Sequence, residues 1–160
     1  MEDRYLFKAK RVDDGEWVQG NLIQSCDATD GWEAIIIPTK NSNMFTKHIK
    51  RGYGNLGFEN WYRVDPSTIC QCTGLKDKNG KLIWENDIIK TFDAGEEWGL
   101  SKIIFADTSL GYGWKTTDIK SLSKYNNNLF KEVSFGSFDS KSVEIVGNIF
   151  DNAELLESEG

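Results

Sequence analysis

Gly52-Tyr53-Gly54-Asn55-Leu56-Gly57 carries the G-x-G-x-x-G spacing with which dinucleotide-binding folds bring backbone amides up to a pyrophosphate at a helix N-terminus. That chemistry needs an apolar strand before the glycines and an amphipathic helix after them. Here Lys47-His48-Ile49-Lys50-Arg51 precedes them, and Phe58-Glu59-Asn60-Trp61 and then Pro66 follow, so the spacing is read as accidental and the segment as a loop. Cys70 and Cys72 stand at i and i+2, which on a strand would turn both thiols to one face. Two further ligands would be needed for zinc. Cys26 and His48, the sole histidine, lack the paired spacing of zinc modules, so the thiols are expected to be small core residues. One histidine without a G-x-S-x-G stretch does not make a nucleophilic triad. Glu85 with Asp87, and Glu96 with Glu97, are read as solvated surface, the latter pair as a turn. No catalytic, cofactor-binding or metal-binding residue is therefore assigned, and the chain is not expected to be an enzyme.

One segment stands apart electrostatically. Residues 40–63 hold Lys40, Lys47, Lys50, Arg51 and Arg63 against Glu59, a local +4 in a chain of net charge −6, which leaves −10 for everything else. Lys47, Lys50, Arg51, Tyr53 and Arg63 combine cations with aromatic surface, as single-strand nucleic-acid or partner-contacting loops do. The blander expectation is that Tyr53, Phe58, Trp61 and Tyr62 pack on the core while the lysines solvate a loop.

The rest of the chain reads as strands and turns. Tyr5–Val12 and Trp17–Ile23, separated by Asp13-Asp14-Gly15, predict an N-terminal hairpin, and Trp32–Ile37 ending at Pro38 predicts a third strand. Residues 39–60 show little periodicity and are read as a long loop. Thr68–Thr73 alternates as a strand does. Asn79-Gly80 predicts a two-residue type I′ hairpin turn leading to Leu82-Ile83-Trp84 and, past Asn86-Asp87, Ile88-Ile89-Lys90. In this reading Trp84 points inward with Leu82, while Lys76, Asp77, Lys78 and Lys81 project into solvent. Further strands are predicted at 102–106, 112–115, 133–138 and 143–150, an ambiguous polar stretch or short helix at 117–130, and a helical turn at 153–156 capped by Asp151 or Asn152. The fold class is mainly β and antiparallel.

Three blocks in order, RVDDGEWVQGNLI at 11–23, VDPST at 64–68 running into TGLKDKNGK at 73–81, and IVGNIFDNAELL at 145–156, resemble the YopX family of phage and prophage proteins. The chain departs from the family's usual pattern at Cys72, commonly aromatic, at Asn86, commonly Gly, and at Ala153, commonly Pro. The resemblance implies an SH3-like, partly open β barrel with a short C-terminal helical turn, in one domain over residues 1–160 or in two small sub-barrels sharing an interface. It implies no activity and no catalytic residue.

Composition agrees with a folded protein: 39% hydrophobic residues with 12% aromatic is ample core material for 160 residues. No apolar run approaches the ~18 residues of a membrane span. Three cysteines fit a reducing compartment, and the expected location is the cytoplasm of the host cell. The expected role is that of a phage or prophage accessory protein, a non-enzymatic binding or assembly module. A protein partner or self-association into a homo-oligomer is expected ahead of nucleic acid, with no membrane partner and no cofactor. Two alternatives are nucleic-acid binding or processing through the basic 40–63 segment, and use of the acidic excess to occupy a host DNA-binding protein.

Overall fold

The computed structural model describes residues 3–25, 33–49, 53–93, 96–108, 111–121, 132–134 and 142–157. They form thirteen antiparallel strands with a few 3-10 turns, as the alternating segments require. The chain divides into two compact units, residues 5–71 and residues 1–4 with 72–160.

In the unit of residues 5–71, β1 (Phe7–Lys10) and β2 (Trp17–Gln24) form the expected hairpin and β3 (Ala34–Pro38) pairs with β2. β6 (Tyr62–Arg63) flanks β3, and the first residues of β7 (Cys70–Lys76) flank β1, giving the order β6-β3-β2-β1-β7. Ala9, Ala34, Ile36 and Val64 make the buried core, with Phe7, Val18, Leu22 and Ile69 against it. The order is open. The tip of β1 meets β6 through the isolated bridge Arg11↔Val64 and the flanking bonds Val12 N to Arg63 O and Asp65 N to Lys10 O, not through a strand ladder, so the strands form an open sheet rather than a closed barrel.

Residues 39–60, expected to be a loop, are mostly a second hairpin. β4 (Met44–Ile49) and β5 (Tyr53–Phe58) pair over their full length into a two-stranded sheet of their own. The glycines that hide the alternation have a use here. Phe45 stands opposite Gly57, and a Cβ at Gly57 would lie 2.6 Å from the ring, so the absent side chain makes room for the aromatic.

In the other unit β9 (Asp87–Asp93), β10 (Glu96–Thr108), β11 (Gly111–Ser121), β12 (Glu132–Ser134) and β13 (Val143–Asn148) form a sheet of order β12-β11-β10-β9-β13, and β8 (Leu82–Trp84) pairs with β7. Glu96 and Glu97, read as a turn, instead open β10 opposite Asp93 and Phe92. Of the ambiguous stretch 117–130, residues 117–121 belong to β11 and residues 122–130 lie outside the described residues. Ile83, Ile89, Ile103 and Val143 are the core, with Ile145 beside them. Ile88 and Ile89 are both fully buried, as neighbours on a strand covered on both faces must be. The same holds for Ile83 and Trp84, so burial does not follow the Leu82–Trp84 alternation: Leu82 is only half-buried.

The turn at 77–81 differs in type from the expectation. Gly80 has φ +79° but Asn79 is not left-handed. Gly80 N donates to Asp77 O and Asp77 N to Lys81 O, a tight turn over Lys78-Asn79 closed by one left-handed glycine, as in longer hairpin loops. A Cβ at Gly80 would meet nothing within 4 Å, so the whole cost of substitution is backbone strain. Gly80→Val is expected to lower unfolding free energy by about 1–2 kcal/mol in urea melts. A loss well under 1 kcal/mol would show that the turn relaxes into another type. Asn86, where the family pattern has Gly, sits at φ +64°, a conformation that Asn tolerates better than most side chains.

Candidate functional site

Each block that carries the family resemblance folds into a turn that consumes its own polar groups. At 11–16, Arg11 N donates to Glu16 O and Glu16 N to Asp14 Oδ1, while the Arg11 guanidinium binds Asp13 at 2.6 Å and Asp14 at 2.9 Å and lies 4.3 Å from the Tyr62 ring centre. The hydrogen bond and charge of Arg11 hold the Asp13 carboxyl below its ordinary range. At 65–68, Asp65 Oδ1 accepts from Ser67 N and Oγ, which lowers its pKa, and buried Thr68 accepts from Lys10 N and donates to Asp65 O. At 148–152, Asn148 Oδ1 accepts from Phe150 N and Asp151 N, and Asn152 Oδ1 accepts from Asn148 N. Asn152 therefore precedes the 3-10 turn Ala153–Leu156 without capping it through its side chain.

The most connected of these turns is 77–81. Asp77, expected in solvent, is 3% exposed. Its Oδ1 accepts from Asn79 N and Lys81 N, and its Oδ2 accepts from Ile145 N, 68 residues away. Burial pushes its pKa up, but the hydrogen bonds from Lys81, Ile145 and Asn79 outweigh that and hold it below the usual carboxylate range. Lys78 N donates to Val143 O, and its ammonium lies 2.6 Å from Glu144 and 4.3 Å from the Phe92 ring centre. Asp87, read as solvated surface, is instead buried and accepts from Trp84 N at 2.8 Å. The sequence reading missed Asp77 and Asp87 as structural carboxylates, although aspartate beside a turn glycine or asparagine is a recognisable signal for such bonds.

Cys70 and Cys72 are buried free thiols. Cys70 Sγ donates to Thr68 O, while Cys72 Sγ lies near Ile83 O and accepts from Gly74 N. Cys26 lies outside the described residues, as does the His48 side chain. Among the described residues no three His, Cys, Asp or Glu side chains gather as a metal would require, and no helix is long and apolar enough to cross a membrane.

Two features of the unit of residues 5–71 remain unabsorbed by scaffolding. The first is a cleft of about 400 Å³ at the tip of β1, whose lining includes Lys10, Arg11 and Arg63 together with Glu33 and Asp65. A smaller hollow of about 260 Å³ lies between Val12, Asp13, Trp61, Tyr62 and Arg63. Arg11 Nε is buried and finds no acceptor among the described residues. The cations are matched by carboxylates, so these hollows have mixed rather than positive character.

The second is the β4–β5 arm. Asn43 Nδ2 donates to Glu59 Oε2 at 2.8 Å, Ser42 Oγ to Asn60 O at 2.5 Å, Asn60 Nδ2 to Asn41 O, and Glu59 N to Asn43 O. This polar clamp sets the arm's base. Above it, strand alternation puts Met44, Thr46, Leu56 and Phe58 on one face, with Met44 66% and Leu56 58% exposed. Of the proposed contact residues, Lys47 and Tyr53 belong to the strands of this arm with side chains outside the described set, Lys50 and Arg51 lie outside the described residues, and Arg63 lines the cleft instead. The G-x-G-x-x-G residues 53–57 run along β5, which is not the strand-to-helix turn a pyrophosphate site needs. Of the flanking aromatics, Phe58 and Tyr62 are half-buried, and Trp61 is 40% exposed.

No curated protein matches the chain. A solved structure similar to it is that of protein EF1440 from Enterococcus faecalis, 22% identical, with a TM-score of 0.49, covering 94% of this chain and 96% of that one. Residues 6–157 match the profile described as YopX protein, a span that contains all three turn-forming blocks, and the chain belongs to the YopX family.

Proposed function

We propose that this protein is a non-enzymatic binding module, working in a phage or prophage setting, and that the β4–β5 arm is its contact element for a protein partner. The observation that carries this reading is the arm's uncovered apolar face, with Met44 and Leu56 exposed above a clamped base. Large exposed apolar side chains grouped on one face of an element mark interaction surfaces rather than ordinary surface. Asp87, one of the carboxylates whose spacing could suggest acid–base work, supports the same reading because it holds the Trp84 amide. Met44 on this face, and exposed Phe45 on the arm's other face, are of the residue types that protein interfaces favour.

The test is capture by the full chain from host cells carrying the phage, with Met44→Ser/Leu56→Ser as the matched bait. A protein cross-linked to the arm and lost from the variant is the expected result. Recovery of nuclease-sensitive single-stranded nucleic acid, lost with Lys47, Lys50 and Arg51 all changed to Ala and falling steeply with salt, would replace the protein-partner reading with nucleic-acid binding. Equal capture by both baits would remove the arm as the contact.

A further inference from the structure

We propose that the cleft at the tip of β1 and the smaller hollow form one groove for an extended peptide segment of another protein, in which a lysine or arginine stands next to an aliphatic residue. The groove uses none of the β4–β5 arm's residues. The linings of the two hollows share Val12 and Arg63, so the hollows adjoin. The smaller one carries the apolar surface: Val12 is 56% and Trp61 40% exposed, beside half-buried Tyr62. An aliphatic side chain laid there removes apolar area on both partners from water.

The larger hollow carries the charge. Ser25 N donates to Glu33 O, and Val64 N to Ala34 O one step beyond the Ile35↔Arg63 pair, so Glu33 falls opposite extended Asp65 in continuing register. Alternation then sets Glu33, Arg63 and Asp65 on one face, while Ala34 and Val64 turn into the core. Among the described residues the Glu33 side chain makes no hydrogen bond or ion pair, and Asp65 uses only Oδ1, on Ser67. The cations beside them are engaged: Arg11 is bound by Asp13 and Asp14, and Lys10 Nζ lies 5.6 Å from the Trp17 ring centre. Glu33 and Asp65 therefore present carboxylate oxygens to an incoming cation. Arg63, common to both hollows, disfavours a second cation and suits a carbonyl oxygen. An aliphatic side chain, a backbone carbonyl and a basic side chain follow one another along a peptide, whereas a small amine would fill only the carboxylate end. Exposed charges select the partner more than they tighten it, and their contribution falls as salt rises.

Titration of the isotope-labelled full chain with acetyl-Leu-Arg-Leu-Arg-amide at low salt, followed by amide chemical shifts, tests this. The expected result is a set of shifts gathered at Val12, Glu33, Arg63 and Asp65, with a dissociation constant tighter than about 1 mM. Glu33→Gln, Val12→Ser and exchange of the peptide's arginines for glutamine should each weaken binding at least about threefold. Glu33 makes no side-chain bond and Val12 is exposed, so both variants should melt as the parent does. Met44→Ser/Leu56→Ser should bind the peptide as the parent does, which separates the groove from the arm; weaker binding there would overturn that separation. Equal affinity for the arginine and glutamine peptides, or none lost in Glu33→Gln, would overturn the carboxylates as the cation site. Tighter binding of acetyl-Leu-Glu-Leu-Glu-amide would overturn the charge assignment, and no shift at Val12, Glu33, Arg63 or Asp65 would overturn the groove.

Discussion

Trp84→Ala is expected to lower the unfolding free energy by about 3–5 kcal/mol, the range for removing a large aromatic from a packed site. Trp84 is 6% exposed on β8, opposite Cys72 of β7, with fully buried Ile83 beside it. Its amide donates to buried Asp87 Oδ2, which fixes the corner at Glu85-Asn86 from which β9 departs with Ile88 and Ile89. Deleting the indole leaves a cavity next to a corner tied by Trp84 N to Asp87 Oδ2, Asn86 N to Ile103 O and Ile149 N to Asn86 O, so little collapse is available to offset it. Trp84→Phe should recover part of the loss because volume is nearly kept. Urea melts followed by circular dichroism measure both; a loss under about 1 kcal/mol for the alanine variant would mean that the indole is not a core group.

Asp77→Ala should cost about 2–4 kcal/mol, because Asn79 N, Lys81 N and Ile145 N lose their acceptor together. Asp77→Asn can keep the two bonds to Oδ1, but its amide NH₂ would face the Ile145 amide, donor against donor, so about 1–3 kcal/mol is expected. The sign of the pH effect follows from the lowered pKa. The carboxylate's stabilisation is fully present above its unfolded value of about 4 and is lost as pH falls through the lower folded value. The difference between parent and Asp77→Asn should therefore be largest near neutrality and shrink in acid. A difference independent of pH between about 7 and 2 would show that the charge of Asp77 contributes nothing.

These two sites divide the legible from the illegible. TGLKDKNGKLIWENDIIK announces a hairpin because Asn, Gly and Asp have local conformational preferences, and the turn forms where those preferences lie. Its type was not legible: a two-residue turn would close Lys78 on Lys81 with Asn79 left-handed, whereas the observed loop closes Asp77 on Lys81 with only Gly80 left-handed, and Asp77's bonds to Asn79 N and Lys81 N favour the observed one. That Asp77 is buried depends on Ile145, 68 residues on, and no local pattern reports a hydrogen bond made across that distance.

The arm was missed for a related reason. Gly52, Gly54 and Gly57 break the alternation by which strands are recognised, while the pairing of Met44–Ile49 with Tyr53–Phe58 and the clamp from Asn43 to Glu59 arise only between segments. Likewise Arg63 was grouped with Lys47, Lys50 and Arg51 by sequence charge, but pairing of β6 with β3 and the Arg11↔Val64 bridge carry it to the tip of β1. By itself the sequence determined the antiparallel β class, the placement of most strands, the Gly80 turn and the YopX resemblance, since these rest on period-2 burial and on short-range turn chemistry. Only the tertiary structure decided that Asp77 and Asp87 are structural carboxylates, that 44–58 is a hairpin and that Arg63 faces a cleft with Arg11. The physical reason is that burial and long-range hydrogen bonding are properties of pairs of segments, and a run of residues specifies only its own half of each pair.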